Sequence, residues 1–474
     1  MKMFIAGQWI DKAEKITVHD PYDNSVIDTV PRGTTEDLEK AISSAVKGFE
    51  ISKRLPVYKR MEILEKTAAV IQNNIDEWAT VIAREGSKTI REARKETRRC
   101  VNTLKVSAEE ARRILGETIP FDSFPGAENK VGYYYRFPIG VIACITPFND
   151  PLNLVAHKIG PAIAGGNSII LKPATVTPLS ALKLVKALLD AGLPSQTINC
   201  ITGYGYEIGD SLASDPRIRM ISFTGGVEAG KKIASLAGLK KLGMELGSNT
   251  PVIVWKDARL DNAVASCVSG SFWAAGQNCI GVQRIFIHED IYEEFTKKFV
   301  AKTKSYKIGN KLDEATDMGP MINEPEAKRI EEWVKEAVKG GAKLLAGGNR
   351  KGALFEPTVL EHVSQTMKVN CEEVFAPVVN FYKISSLEEA ITEANKIDYG
   401  LQTAVFTQDM DIAFRAIHGL DCGGVIVNDA DYRLDSMPFG GVKNSGLGRE
   451  GIKFALQEMT EPKVVCFSLE KSPL

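Results

Sequence analysis

A carboxylate and a thiol stand near each other along this chain in a setting that suits acyl chemistry. Glu245-Leu246-Gly247 precedes Gly276-Gln277-Asn278-Cys279, so a thiol flanked by small and amide residues follows an acid. A thiolate attacks a carbonyl carbon, and a carboxylate then draws a proton from the water that opens the resulting thioester. Together the two groups suggest covalent catalysis with a hydrolytic second half. A buried cysteine taken alone is more often an inert packing residue than a nucleophile.

A second constellation concerns anions. Ser222-Phe223-Thr224-Gly225-Gly226-Val227-Glu228-Ala229-Gly230 reads as a strand end, a turn on two glycines and a helix start. Backbone N–H groups and the helix dipole at such a junction bind phosphate. The spacing is Gly-x-x-x-x-Gly rather than Gly-x-Gly-x-x-Gly, which leaves an ordinary tight turn as the alternative. Lys172-Pro173-Ala174-Thr175 follows the preceding strand, where a lysine reaches ribose hydroxyls or a phosphate; the alternative is a solvated loop lysine.

The totals exclude several classes. A chain of 474 residues implies two or three domains. A formal net charge of −1 predicts no general attraction to nucleic acid or an anionic membrane. The apolar stretch at the N-terminus is too short and interrupted for a signal peptide, and no apolar run approaches the roughly 20 residues of a membrane span. Eight scattered cysteines without a Cys-x-x-Cys pair fit a reducing cytoplasm. Five histidines without ligand spacing suggest no metal site.

The elements that must position these groups are legible from periodicity. Helical spacing runs over 37–49, 58–74, 76–84 and 89–115. After Pro138 come short apolar runs of the buried parallel-strand type: Val141–Ile145, Ser168–Leu171 and Met220–Phe223. Helical stretches over 152–164, 178–191 and 227–237 separate them, which indicates a doubly wound α/β sheet. A second α/β unit follows over 252–427, with strands at Val252–Val254, Arg284–Ile287, Ala404–Phe406 and Gly424–Val427. Tyr133–Arg136 and Lys463–Phe467 stand apart as strand-like pieces that pair with each other and then, through an exposed edge, with another subunit.

Taken in order, Thr146-Pro147-Phe148-Asn149, Lys172-Pro173-Ala174, Phe223-Thr224-Gly225, Glu245-Leu246-Gly247, Gly276-Gln277-Asn278-Cys279, Glu372-Glu373-Val374-Phe375-Ala376-Pro377, Asn428 and Pro438 to Gly446 resemble the NAD(P)-dependent aldehyde dehydrogenase superfamily over nearly the whole chain. The resemblance implies an α/β aldehyde dehydrogenase fold. It has a Rossmann-like dinucleotide domain over 1–115 and 139–245 and an α/β catalytic domain over 246–430. A small β oligomerisation arm takes 116–138 and 460–474, and the assembly expected is a homodimer or homotetramer.

By that resemblance Cys279 is the nucleophile and Glu245 the base of the hydrolytic step. Asn149 and the Cys279 N–H hold the oxyanion, and Lys158 supports that loop. NAD or NADP is the cofactor. Its site is expected from Thr146, Pro147, Phe148, Lys172, Ala174, Thr175, Gly205, Gly209, Phe223, Thr224, Gly225, Gly226, Leu246, Gly247, Glu373 and Phe375. Thr175 stands where NAD-preferring relatives often carry a glutamate, and Gly226 replaces a common serine, so both nucleotides are admitted. Relatives that transfer the acyl group to coenzyme A commonly lack the glutamate, so Glu245 favours hydrolysis.

The substrate pocket is expected from Arg99, Asn153, His157, Asn278, Arg433 and Phe439. Relatives that take apolar aldehydes carry aromatic or methionine residues at the positions of His157, Arg99 and Arg433, and Asp150 also replaces an aromatic. On helical arithmetic alone Arg99 falls off its apolar stripe, as on a solvated basic face. Two arginines and a histidine at one mouth imply a small aldehyde bearing a strong acid group. The implied branch acts on phosphonoacetaldehyde, lactaldehyde or 3-sulfolactaldehyde, with succinate semialdehyde and glyceraldehyde 3-phosphate as competitors. A coenzyme A-acylating dehydrogenase and a non-enzymatic scaffold are the readings from other classes.

Overall fold

The computed structural model describes residues 1–471. Two large sheets carry the molecule. The first has eight strands, and its centre is parallel: Ile198–Cys200, Ser168–Lys172, Val141–Ile145, Ile218–Thr224 and Lys241–Glu245 lie in that order. Antiparallel edges close it, Met3–Ile5 and Gln8–Ile10 on one side and Gly446–Leu447 on the other. Val141–Ile145 and Ser168–Lys172 are buried at every position, as expected of strands covered by helices on both faces.

The second sheet has seven strands in the order Lys343–Ala346, Thr358–Glu361, Val378–Ile384, Val282–His288, Thr250–Val254, Gln402–Phe406 and Gly424–Val427. All its pairings are parallel except that of Lys343–Ala346. A third sheet joins Thr460–Ser468 to Lys130–Pro138 and Glu117–Thr118, so the two strand-like pieces read in the sequence do pair with each other. Their alternating exposure leaves Tyr133, Tyr135, Val464 and Phe467 on the surface.

Four helices, Thr35–Ser52, Val57–Gln72, Ile75–Glu85 and Ile90–Ala111, fall where periodicity puts them. Ile90–Ala111 starts on a capping box: Thr89 accepts from the Glu92 N–H while Glu92 accepts from the Thr89 N–H. Helix Asn153–Gly165 is buried along its whole length. Several strands escape periodicity. Lys241–Glu245 (Lys-Leu-Gly-Met-Glu) has no apolar run, and Met3–Ile5 and Ile198–Cys200 are only three residues long. Among the described residues no helix is long and apolar enough to cross a membrane.

The stretch 431–459 leaves the second sheet and returns to the first. There Gly446–Leu447 pairs with Met244 and Glu245, and helix Ile452–Glu458 packs on Asn153–Gly165.

Candidate active site

The carboxyl ends of the first sheet's central strands meet the second sheet across a cavity of about 900 Å³. That volume is near the top of the range for ligand sites. Register brings Thr224 beside Glu245 and Ile145 beside both Phe223 and Lys172, so the loops after these strands open on one side. Cys279, Glu245 and Asn149 line the cavity together. So do Thr146, Pro147, Phe148, Ala174, Phe223, Thr224, Gly225, Gly226, Leu246, Gly247, Glu373, Phe375, Arg433 and Phe439.

Cys279 rides on a loop held under strain. Ala274, Ala275 and Gly276 adopt positive φ of 49°, 55° and 70° in succession, unusual for the two alanines. A side chain at Gly276 would collide with the Ala376–Pro377 backbone. The loop is fastened at two further points. Glu92 accepts from the Ala274 N–H at 2.9 Å, and Gln277 accepts from the Ile322 N–H at 2.9 Å. Burial pushes the Cys279 thiol up to about 11, against the pull of Arg433.

Glu245 ends its strand with its carboxyl buried, and Oε2 has no partner. Burial, then the charge of Glu450, raises it well above the usual carboxylate range. Glu450 is the opposite case. It accepts from Lys158 Nζ and from Arg433 Nη2, both at 2.9 Å. Against the upward push of burial, Lys158 and Arg433 hold it well below the ordinary value. The surroundings thus favour the protonated form of Glu245 and the ionised form of Glu450.

The cations expected at the substrate mouth are not free. Arg99 Nη2 donates to Asp435 at 2.9 Å and Nη1 to Asp150 at 3.4 Å. His157 Nε2 lies 3.0 Å from the same Asp435 oxygen, and Asn153 Nδ2 donates to it at 3.4 Å. Arg433 pairs with Glu450 and stacks on Phe439, its guanidinium carbon 3.7 Å from the ring centroid. A cation this buried needs a counter-charge inside the protein. The sequence reading named the cations and missed Asp435 and Glu450.

Of the expected substrate residues, Arg433 and Phe439 line the cavity, while Arg99, Asn153, His157 and Asn278 stand outside its lining. Arg99 is nevertheless no solvated arginine, being tied between two carboxylates. Asn278 takes a local role: its Oδ1 accepts from the Cys279 thiol at 3.8 Å.

Lys158 also stands outside the lining, fixed on Glu450 and on Ser222 Oγ at 3.2 Å. Beneath it, Glu96 caps helix Asn153–Gly165 by accepting from the Leu152 and Asn153 N–H groups at 2.8 and 3.0 Å. Lys88 neutralises Glu96 at 2.7 Å and also contacts Asp150. These buried charges hold the helix that follows Asn149.

The nucleotide side is partly as expected. Helix Val227–Ala237 begins on Gly226 with no side-chain cap, so its first N–H groups face the cavity unclaimed by a side chain. The Thr146 hydroxyl, buried in the lining, has no partner. Glu373 accepts from the Ser248 N–H at 2.8 Å and is raised to about 7 by burial. A side chain at Gly247 would collide with Glu373. These groups fit a dinucleotide.

Lys172, Thr175, Gly205 and Gly209 do not line the cavity. Lys172 is buried and lowered to about 8 by that burial, and the Thr175 hydroxyl donates to the Gly203 carbonyl at 3.0 Å. Helix Glu324–Lys339 contributes Glu326, Arg329 and Trp333, which no sequence motif announced. Arg329 donates to the Val374 carbonyl at 2.8 Å and lies 4.6 Å from the Trp333 ring centroid. Asn428 is structural, closing on the Thr407 backbone in both directions.

The arrangement brings a thiol, a carboxyl group and an amide to one cavity, beside groups that fit a dinucleotide. The sequence pattern described as "Aldehyde dehydrogenase family" matches residues 9–465. The chain is 49% identical over 455 residues to aspartate-semialdehyde dehydrogenase 1 of Pseudomonas canavaninivorans, covering 96% of this chain and 97% of that one. It is 46% identical to 3-sulfolactaldehyde dehydrogenase of Priestia megaterium, covering 98% of each. The structure of aldehyde dehydrogenase 21 from Physcomitrella patens, in complex with the reaction product succinate, superposes with a TM-score of 0.96 at 42% identity, covering 98% of each chain.

Proposed function

Because this chain belongs to the aldehyde dehydrogenase family and is an NAD(P)-dependent aldehyde oxidoreductase, we propose that it converts a small anionic aldehyde to the carboxylic acid by hydrolysis of a Cys279 thioester. A dinucleotide held by Gly225, Gly226, Gly247 and Glu373 would supply the acceptor for the hydride that leaves the thiohemiacetal carbon. The chain's own residues do the rest. Cys279 Sγ, once its proton has left to solvent, adds as the thiolate to the aldehyde carbon, and the Asn149 amide with the Cys279 N–H stabilises the oxyanion; one such donor is worth about 3 kcal/mol. Glu245, once ionised, takes a proton from the water that attacks the thioester, and the C–S bond breaks.

One observation carries the anionic class. Arg433 lines the cavity, is held by Phe439 and Glu450, and keeps a buried Nε–H without a partner. Guanidinium N–H groups left open in this way suit a carboxylate, sulfonate or phosphonate. The two named relatives are dehydrogenases of aspartate semialdehyde and 3-sulfolactaldehyde, and the solved structure holds succinate, which supports the same class. Glu245 supports hydrolysis over transfer to coenzyme A, and the presence of Cys279, Asn149 and Glu245 together argues against a non-enzymatic scaffold.

Lys172 and Thr175 near the carboxyl end of strand Ser168–Lys172 are the adenosine-side residues of this reading, with Gly205 and Gly209 opening the next helix. The exposed apolar strand face of Lys130–Pro138 and Thr460–Ser468 is the assembly surface of a homodimer or homotetramer in the cytoplasm. The test is a turnover panel with NAD and NADP. It compares 3-sulfolactaldehyde, phosphonoacetaldehyde, aspartate semialdehyde, succinate semialdehyde and glyceraldehyde 3-phosphate with lactaldehyde and propanal. The acid-bearing aldehydes are expected to lead in kcat/KM, and a preference for propanal overturns the anionic class.

A further inference from the structure

Glu245 and Glu450, which line the large cavity, also line a second space of about 10 Å³, room for one water. His157, Ser222, Glu245 and Glu450 line it, with Met220 and Met459 among its apolar walls. Two of these residues carry a buried polar atom without a partner: Oε2 of Glu245 and Nδ1 of His157. Buried polar atoms are rarely left so. The His157 Nε2 contact with ionised Asp435, at 3.0 Å, puts the ring proton on Nε2 and leaves Nδ1 an acceptor. The Ser222 hydroxyl, which accepts from Lys158, has its hydrogen left to donate. A water between them therefore has the two to four polar partners such waters need.

We propose that His157, backed by Asp435, is the proton acceptor that converts Glu245 into a base, through one water held in this second space. The step balances. The Glu245 O–H bond breaks, the water hands on a proton, and an N–H bond forms at His157 Nδ1. A neutral pair becomes a carboxylate and an imidazolium, and the imidazolium faces Asp435 through Nε2–H. Glu245 then removes a proton from the hydrolytic water. His157 stands outside the lining of the large cavity and acts through Glu245 as a positioning residue. The inference rests on the reading of Glu245 as the hydrolytic base.

The charged and titratable groups around His157 come from every element packed on it. They are Arg99 and Cys100 from Ile90–Ala111, Lys158 from its own helix, Glu245 from its strand, and Arg433, Asp435, Arg449, Glu450 and Glu458 from the returning 431–459 stretch. Burial lowers His157 below its ordinary value, against the opposing pull of Asp435, so it is neutral and able to accept at neutral pH.

The test uses the full-length enzyme with its nucleotide and the best aldehyde of the panel. It reads the pre-steady-state burst of reduced nucleotide and the pH profile of kcat in His157→Phe and His157→Asn. Both are expected to keep the burst and lose roughly tenfold or more in kcat at pH 7. The acid limb of kcat should move up by at least one pH unit. A retained burst with an unmoved acid limb in both variants overturns the proposal. Loss of the burst in both overturns it as well, since it places His157 in acylation or folding. Glu245→Gln measured alongside separates the two readings: normal turnover there removes Glu245 as base, whereas lost turnover there with normal His157 variants removes only the relay.

Discussion

The guanidinium carbon of Arg433 stands 3.7 Å from the centre of the Phe439 ring while its Nη2 donates to Glu450 at 2.9 Å. One contact fixes the plane of the guanidinium and the other its rotation within that plane. The guanidinium is thus held in place by the protein before any ligand arrives. Arg433→Leu should raise KM about 10- to 100-fold for an anionic aldehyde, the value of a charged hydrogen bond. Propanal should change little. Equal losses on both substrates would mean that Arg433 holds the fold rather than the anion.

Glu245 and Cys279 share the cavity, and the proposed mechanism puts their tasks in different half-reactions. Glu245→Gln is isosteric and cannot accept a proton. It should retain one rapid burst of reduced nucleotide per site and lose steady turnover by about 10²- to 10⁴-fold. Rapid-mixing absorbance checks both numbers in one trace.

The Cys279 thiol is pushed up to about 11 by burial, so only a small thiolate fraction exists at neutral pH. Below that value the fraction grows about tenfold per pH unit. Iodoacetamide alkylation of Cys279 in the nucleotide-free enzyme should follow this slope from pH 7 to pH 9. A rate that is flat over this range would show a thiolate already formed.

Asn149 lines the cavity with Cys279 and Glu245. Asn149→Ala should lower kcat about 10²- to 10³-fold, as for loss of one oxyanion donor, with a smaller change in KM. Asn149→Asp should be at least as damaging, since it sets a like charge against the oxyanion. Steady-state kinetics of the two variants side by side decides whether the amide or merely its volume matters.

Lys88 and Glu96 form a buried pair 2.7 Å apart under the helix that follows Asn149. Lys88→Met leaves Glu96 without its cation and Asp150 with Arg99 alone. It should cost about 3–5 kcal/mol of stability, read as a lower denaturant midpoint. Replacing both members, as Lys88→Met with Glu96→Leu, should recover much of that loss. A single variant as stable as the parent would show that the pair bears no charge in the fold.

The sequence made the central strands and the Cys279 and Glu245 motifs at the cavity legible because each has a local signature. Val141–Ile145 is an apolar run, and Cys279 stands in a short motif of small and amide residues. What stayed hidden depends on partners distant in the chain. Asp435 and Glu450 lie in a stretch without periodicity, and their role exists only because Arg99, Lys158 and Arg433 need counter-charges and His157 a hydrogen-bond partner once they are brought together. Arg99 shows the same limit from the other side, looking solvated by helical arithmetic yet tied to acids more than 50 and 300 residues away. Glu326, Arg329 and Trp333 reach the cavity because their whole helix is laid against it, which no short-range pattern encodes.

The stretch 431–459 carries Arg433, Asp435, Phe439 and Glu450, and it crosses from the second sheet to the first. Choice of aldehyde, charge balance around the base and alignment of the two sheets are therefore written in one continuous passage of chain. A heritable change there retunes all three at once. Exchanging that passage between relatives should carry substrate preference with it while leaving the glycine turn at Gly225 and Gly226 untouched.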